Sequence, residues 1–143
     1  MKKLLFIIPA LFFQTMQAQQ KEPLKFNDKG EFKIVQFTDV HFKYKNPASD
    51  VALECIDRVL DAEKPELVIF TGDVVYNSPA DTAMITVLSH VSKRNIPFVV
   101  TLGNHDDEQN LTREQLYNVA RSVKGNIQPD NQTDFVLRVN SKD

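Results

Sequence analysis

Three short clusters in this 143-residue chain carry residue types that bind metals and move protons: Asp39-Val40-His41, Gly72-Asp73 and Gly103-Asn104-His105-Asp106. Residues i and i+2 of an extended segment point to the same side, so Asp39 and His41 can hold one cation together. Asp73 follows a glycine whose backbone freedom permits a tight turn toward a metal. A carboxylate there can bridge two cations, one on each oxygen. Asn104 offers a neutral amide oxygen to a second cation. His105 can face a substrate, with Asp106 to orient or polarise it. Singly, each of these residues reads as well as a cap or turn residue. As a set they describe a two-metal site.

The elements that must position them follow from periodicity. Residues 31–38 (EFKIVQFT) alternate and are rich in Phe, Ile and Val, which predicts a strand. Residues 66–71 (ELVIFT) and 96–102 (IPFVVTL) are continuous apolar runs, as in strands buried on both faces. Between them, helical spacing predicts a helix to about Glu63, capped by Ser49 or Asp50, and a second over residues 82–94, capped by Asp81. Thr112 can cap a third helix through Val123, ended by Gly125. Residues 133–139 (TDFVLRV) read as a further strand. The β-α-β-α-β-α-β order predicts an α/β domain with parallel neighbours. All three clusters sit at the carboxyl ends of strands, where such sheets gather ligands. Cys55, the single cysteine, reads as a small core residue of the first helix, and His90 as a surface or packing residue of the second.

Asp-x-His, Gly-Asp and Gly-Asn-His-Asp, in this order and spacing, resemble the motifs of the calcineurin-like metallophosphoesterase superfamily. Residues 35–42 (VQFTDVHF) and 72–76 (GDVVY) are most similar to its purple acid phosphatase-like branch. The resemblance covers residues 31–110. It implies the N-terminal half of a four-layer α/β/β/α sandwich and a metal-dependent phosphoesterase that cleaves phosphomonoesters with a hydroxide bridging two metals. By the same resemblance Asp39 and His41 bind the first metal, Asp73 bridges both and Asn104 binds the second. His105 is then the acid or charge stabiliser, with Asp106 as its partner. Mixed oxygen and nitrogen ligands without cysteine suit Mn, Fe or Zn and do not select among them. Where the branch uses a tyrosine as iron ligand, its first motif lacks the histidine. Here His41 and Tyr76 are both present, so His41 is expected as the ligand and Tyr76 as its neighbour. Alternatives are a phosphodiesterase or nucleotidase of the same superfamily, and a non-catalytic α/β module that binds a metal or a partner.

The family completes its site with three later histidines, whereas this chain has His41, His90 and His105 in all. The expectation is therefore a domain over residues 31–143 that is incomplete at its C-terminus, with weak or no turnover on its own. Residues 19–30 read as a polar tail ending in a turn. Residues 1–18 have the layout of a signal peptide: Lys2 and Lys3, an apolar run at 4–13 and a small residue, Ala18, at the cut. The run is too short for a stable membrane anchor, and the expected location is secreted or periplasmic. Cleavage there takes the formal charge from −2 to −4. Such a mildly acidic chain shows no basic field for nucleic acid. The expected partner is a phosphate-ester substrate.

Overall fold

The structure is a computed structural model that describes residues 23–130 and 132–141. The expected signal peptide lies outside the described residues. The chain runs β1 (Leu24–Lys25), β2 (Ile34–Phe37), α1 (Pro47–Glu63), β3 (Leu67–Thr71), α2 (Ala80–Ser92), β4 (Phe98–Thr101), α3 (Arg113–Ser122) and β5 (Val139–Asn140). A 3-10 turn, Asp106–Glu108, precedes α3. Strands β2, β3 and β4 form a parallel sheet in that order, with Val35 beside Val68 and Phe70 beside Val100. The protein is thus a mixed α/β domain with parallel sheets, as the element order predicts.

Period-two alternation gives the sheet two unlike faces. Val68, Phe70, Phe98 and Val100 are buried in one core with Ile56 and Leu60 of α1, Met84 and Leu88 of α2 and Leu116 of α3. On the other face Ile34 is 49% exposed, and Gln36, Thr71 and Thr101 also meet solvent. Among the described residues no helix is long and apolar enough to cross a membrane.

Several local expectations give way to better geometry. Asn46, not Ser49 or Asp50, caps α1: its Oδ1 accepts the Ala48 N–H at 3.0 Å, and Pro47 fits the first helical turn, where no N–H is needed. Asp81 does not cap α2. The cap comes from another loop, where Asn110 Oδ1 accepts the Ala80 N–H at 2.8 Å. Thr112 does cap α3, with Gln115 completing a capping box. Cys55 is exposed, not a core residue, because the buried side of α1 runs through Ile56 and Leu60.

The expected strand at 133–139 is replaced by irregular chain and a two-residue strand. β5 pairs in parallel with β1, inside the segment read as a tail. The edge of β4 is closed instead by residues just after α3. Phe98 bonds to the backbone of Gly125 and Ile127, and the Val100 N–H donates to Gln128 Oε1 at 3.0 Å. A side-chain amide standing in for strand backbone satisfies the edge and ends the ladder there.

Candidate metal centre

The three predicted clusters converge beyond the carboxyl ends of β2, β3 and β4. The loops after β2 and β3 continue side by side past the sheet: Asp39 N–H bonds to Gly72 O, His41 N–H to Asp73 O and Phe42 N–H to Val74 O, at 2.9–3.1 Å. Asp39, His41 and Asp73 all hold positive φ, at 53°, 46° and 52°. Their convergence therefore comes from left-handed kinks and not from the extended alternation read in the sequence. Such backbone is costly for residues with a Cβ and persists where the surroundings enforce it. Two glycines make the approach possible. A Cβ on Gly72 would come within 3.0 Å of Gly103 Cα, and one on Gly103 within 2.1 Å of Asp73 Oδ1.

His41 Nε2 lies 3.6 Å from Asp39 Oδ1 and 3.7 Å from Asp73 Oδ2. One donor atom from each of these residues falls within 4.8 Å of the others. Asp39 is largely exposed, with Thr38 Oγ1 donating to its Oδ2 at 2.7 Å, whereas Asp73 is nearly buried. Among the described residues neither carboxylate has a lysine or arginine within ion-pair distance; His41 is their shared neighbour. Two acids with one imidazole, at separations of two ligands around one cation, fit a divalent metal. They are under-compensated without one.

The Gly-Asn-His-Asp loop docks on Asp73, whose Oδ1 accepts the His105 N–H at 2.9 Å. This brings the His105 ring to 5.5 Å from that of His41, centroid to centroid. Asn104 is exposed in the same loop, one residue from that bond.

Asp106 does something other than orient His105. It is fully buried, and its carboxylate accepts the N–H groups of Asp73 at 2.9 Å, Val74 at 2.8 Å, Val75 at 2.9 Å and Gly103 at 2.7 Å. It welds the loop after β4 to the loop after β3, so the expected pairing with His105 is corrected. The partner of His105 is Glu108, whose Oε2 lies 2.8 Å from Nδ1. That bond holds the imidazolium favoured above its ordinary value of 6.5. Desolvation opposes it, and the carboxylates of Glu108, Asp73 and Asp106 add to it.

Glu108 and Arg113 were missed in the sequence. Arg113 donates to the carbonyls of Leu102 and Gly103 and pairs with Asp107 at 2.9 Å, pinning the same loop. The only sequence signal for Glu108 is its place three residues after His105 in a turn. His90 takes no part in the site: its Nδ1 is 2.9 Å from Asp57, between α1 and α2. A cleft of about 680 Å³ opens at the other end of the sheet, beside Phe32, Glu66 and Pro97, away from these groups.

Comparison with known proteins gives the chain a family. The sequence profile described as calcineurin-like phosphoesterase matches residues 32–140. The chain is 37% identical over 114 residues to phosphatase DCR2 of Saccharomyces cerevisiae, covering 68% of this chain and 20% of that protein. It is 34% identical over 116 residues to "Probable inactive purple acid phosphatase 29" of Arabidopsis thaliana, covering 69% of this chain and 30% of that protein. It is 34% identical over 89 residues to "Probable glycerophosphodiester phosphodiesterase GpdQ" of Arcobacter nitrofigilis, covering 57% of this chain and 32% of that protein. The chain thus spans between a fifth and a third of the length of these relatives.

Proposed function

This chain belongs to the calcineurin-like phosphoesterase family, and we propose that it carries the first part of a metal-dependent phosphomonoesterase site. The observation that carries the reading is the gathering of Asp39, His41 and Asp73, with donor atoms within 4.8 Å, at the ends of adjacent strands. In this reading Asp39 and His41 hold one metal, Asp73 lies between two, and Asn104 reaches the second. Manganese, iron or zinc suits these donors. When bound, such a pair activates water at neutral pH and neutralises phosphate oxygens.

The chain's own residues supply the rest. In this reading His105, with Glu108 Oε2 at 2.8 Å from its Nδ1, carries a proton on that nitrogen and leaves Nε2 for the substrate. There it can donate to the leaving oxygen or to developing charge. Asp106 sets the distance between the loops that carry Asp73 and His105. The leader at residues 1–18 makes export to the periplasm or beyond part of the same proposal.

The resemblance implies three later histidine ligands, and of the histidines in this sequence His90 is engaged with Asp57. The 143-residue chain with added Mn²⁺ is therefore expected to hydrolyse p-nitrophenyl phosphate slowly at best. A longer chain that adds those histidines is expected to turn over, and to lose turnover on Asp73→Ala. Metal binding without turnover in that longer chain would favour a non-catalytic module instead, a reading supported by the word inactive in the name of an Arabidopsis relative. Running bis(p-nitrophenyl) phosphate beside the monoester separates a diesterase from a monoesterase.

A further inference from the structure

Tyr76 stands at the hub of the rim. Its ring meets His41 at 5.2 Å and His105 at 5.0 Å between centroids, both edge-on. The ammonium of Lys43 lies over the same ring, 4.9 Å from its centroid. Laid end to end, these distances place that ammonium no more than about 10 Å from the His41 ring. Backbone pairing fixes the arrangement: Phe42 bridges Val75, and the Tyr76 N–H bonds to Phe42 O at 3.0 Å. Lys43 and Tyr76 therefore flank the same short ladder beyond the sheet.

Lys43 is half-buried, and among the described residues no carboxylate lies within ion-pair distance of its ammonium. Lysine seldom gives up solvent without a partner. Here an electron-rich ring face holds the charge. A cation kept free of protein carboxylates beside an acidic, metal-fitting site is complementary to an anion that arrives with the substrate.

We propose that Lys43, seated on Tyr76, is a specificity-determining residue that receives a second anionic group on the leaving-group side of the substrate. The favoured class is small bisphosphates over phosphomonoesters with a neutral leaving group. The inference rests on the metal-dependent phosphoesterase reading above.

The test is calorimetry on the Mn²⁺-loaded chain with two probes that cannot be hydrolysed, propane-1,3-diphosphonate and propylphosphonate. The quantity read is the ratio of their affinities. Lys43→Met is expected to lower that ratio about fivefold, the upper range for a partly exposed charge pair, and Lys43→Arg to keep most of it. Tyr76→Leu should act like Lys43→Met, and Tyr76→Phe should keep the ratio because the ring face remains. The wild-type preference should shrink as salt is raised. An unchanged ratio in Lys43→Met, with circular dichroism showing a folded variant, overturns this inference and leaves the metal site standing. Wild-type chain that binds propylphosphonate equally with and without Mn²⁺ overturns the reading beneath it, and this inference with it.

Discussion

Asp57 in α1 and Asp73 after β3 each stand beside a histidine, and their surroundings differ in kind. Asp57 Oδ1 lies 2.9 Å from His90 Nδ1, 3.1 Å from Lys93 Nζ and 2.6 Å from the Arg94 guanidinium. Desolvation pushes its carboxyl up, and the hydrogen bonds from His90, Lys93 and Arg94 outweigh that and hold it well below the usual carboxylate range. Arg94 likewise loses solvent but gains Asp61 and Asp57, which raise it further. All of this is built on relaxed helical backbone or its immediate end. Asp73 instead shares one imidazole with Asp39, at 3.7 and 3.6 Å, on backbone of positive φ. One carboxylate–histidine grouping is complete and locks two helices. The other is strained and short of positive charge, the balance expected of the proposed cation site.

That contrast can be broken most forcefully at Asp106, the rim carboxylate that is as fully satisfied as Asp57. Asp106→Ala strands four N–H groups and is expected to lower unfolding free energy by about 4 kcal/mol, read from urea denaturation. A loss under about 1 kcal/mol would mean that the two loops do not depend on it. In the helix lock, Arg94→Ala should cost about 2 kcal/mol, since it leaves Asp57 with His90 and Lys93 and takes the guanidinium from Asp61.

Glycine substitutions at the two groupings should differ in sign. Asp39→Gly relieves a left-handed residue and should raise the stability of the metal-free chain by about 0.5–1 kcal/mol. Asp57→Gly, within α1, should lower it by at least about 1 kcal/mol. Equal signs would show that the strain at the rim carries no energy.

The same contrast is read through pH. The folded Asp57 carboxyl is depressed, so its contribution is complete above the ordinary value of 3.8 and is lost as pH falls below it. His105 is raised, so its smaller contribution is complete below 6.5 and is lost as pH climbs through the folded value. Glu108→Gln should bring His105 back toward 6.5, seen in the ring-proton shifts of metal-free chain. No movement would remove Glu108 as its partner.

Much of the framework was legible because it rests on local pattern. The apolar runs at 67–71 and 98–101 and the helical spacing of Ile56 with Leu60 set the crossovers, and these alone carry Asp39, Asp73 and His105 to one end of the sheet. What escaped depends on partners distant in sequence. Asn110 caps α2 across a loop, and Leu24 pairs with Val139, which no local window contains. Gln128 closes the edge of β4 from just beyond α3, and the strand pattern at 133–139 survives only as Val139–Asn140 beside Leu24–Lys25. At the site the residue types could be read but not their division of labour. Asp106 next to His105 in sequence looks like its partner, yet the 3-10 turn sends Asp106 inward to four amides and brings Glu108 onto the ring.

In the proposed function the strained rim takes a metal and the helix lock does not. Isothermal titration of the 143-residue chain with Mn²⁺ tests it most directly, with Asp73→Asn and Asp57→Asn run alongside. Wild type should bind saturably, Asp73→Asn at least about 10-fold more weakly through loss of a charged ligand, and Asp57→Asn as wild type does. Equal binding by wild type and Asp73→Asn would contradict it.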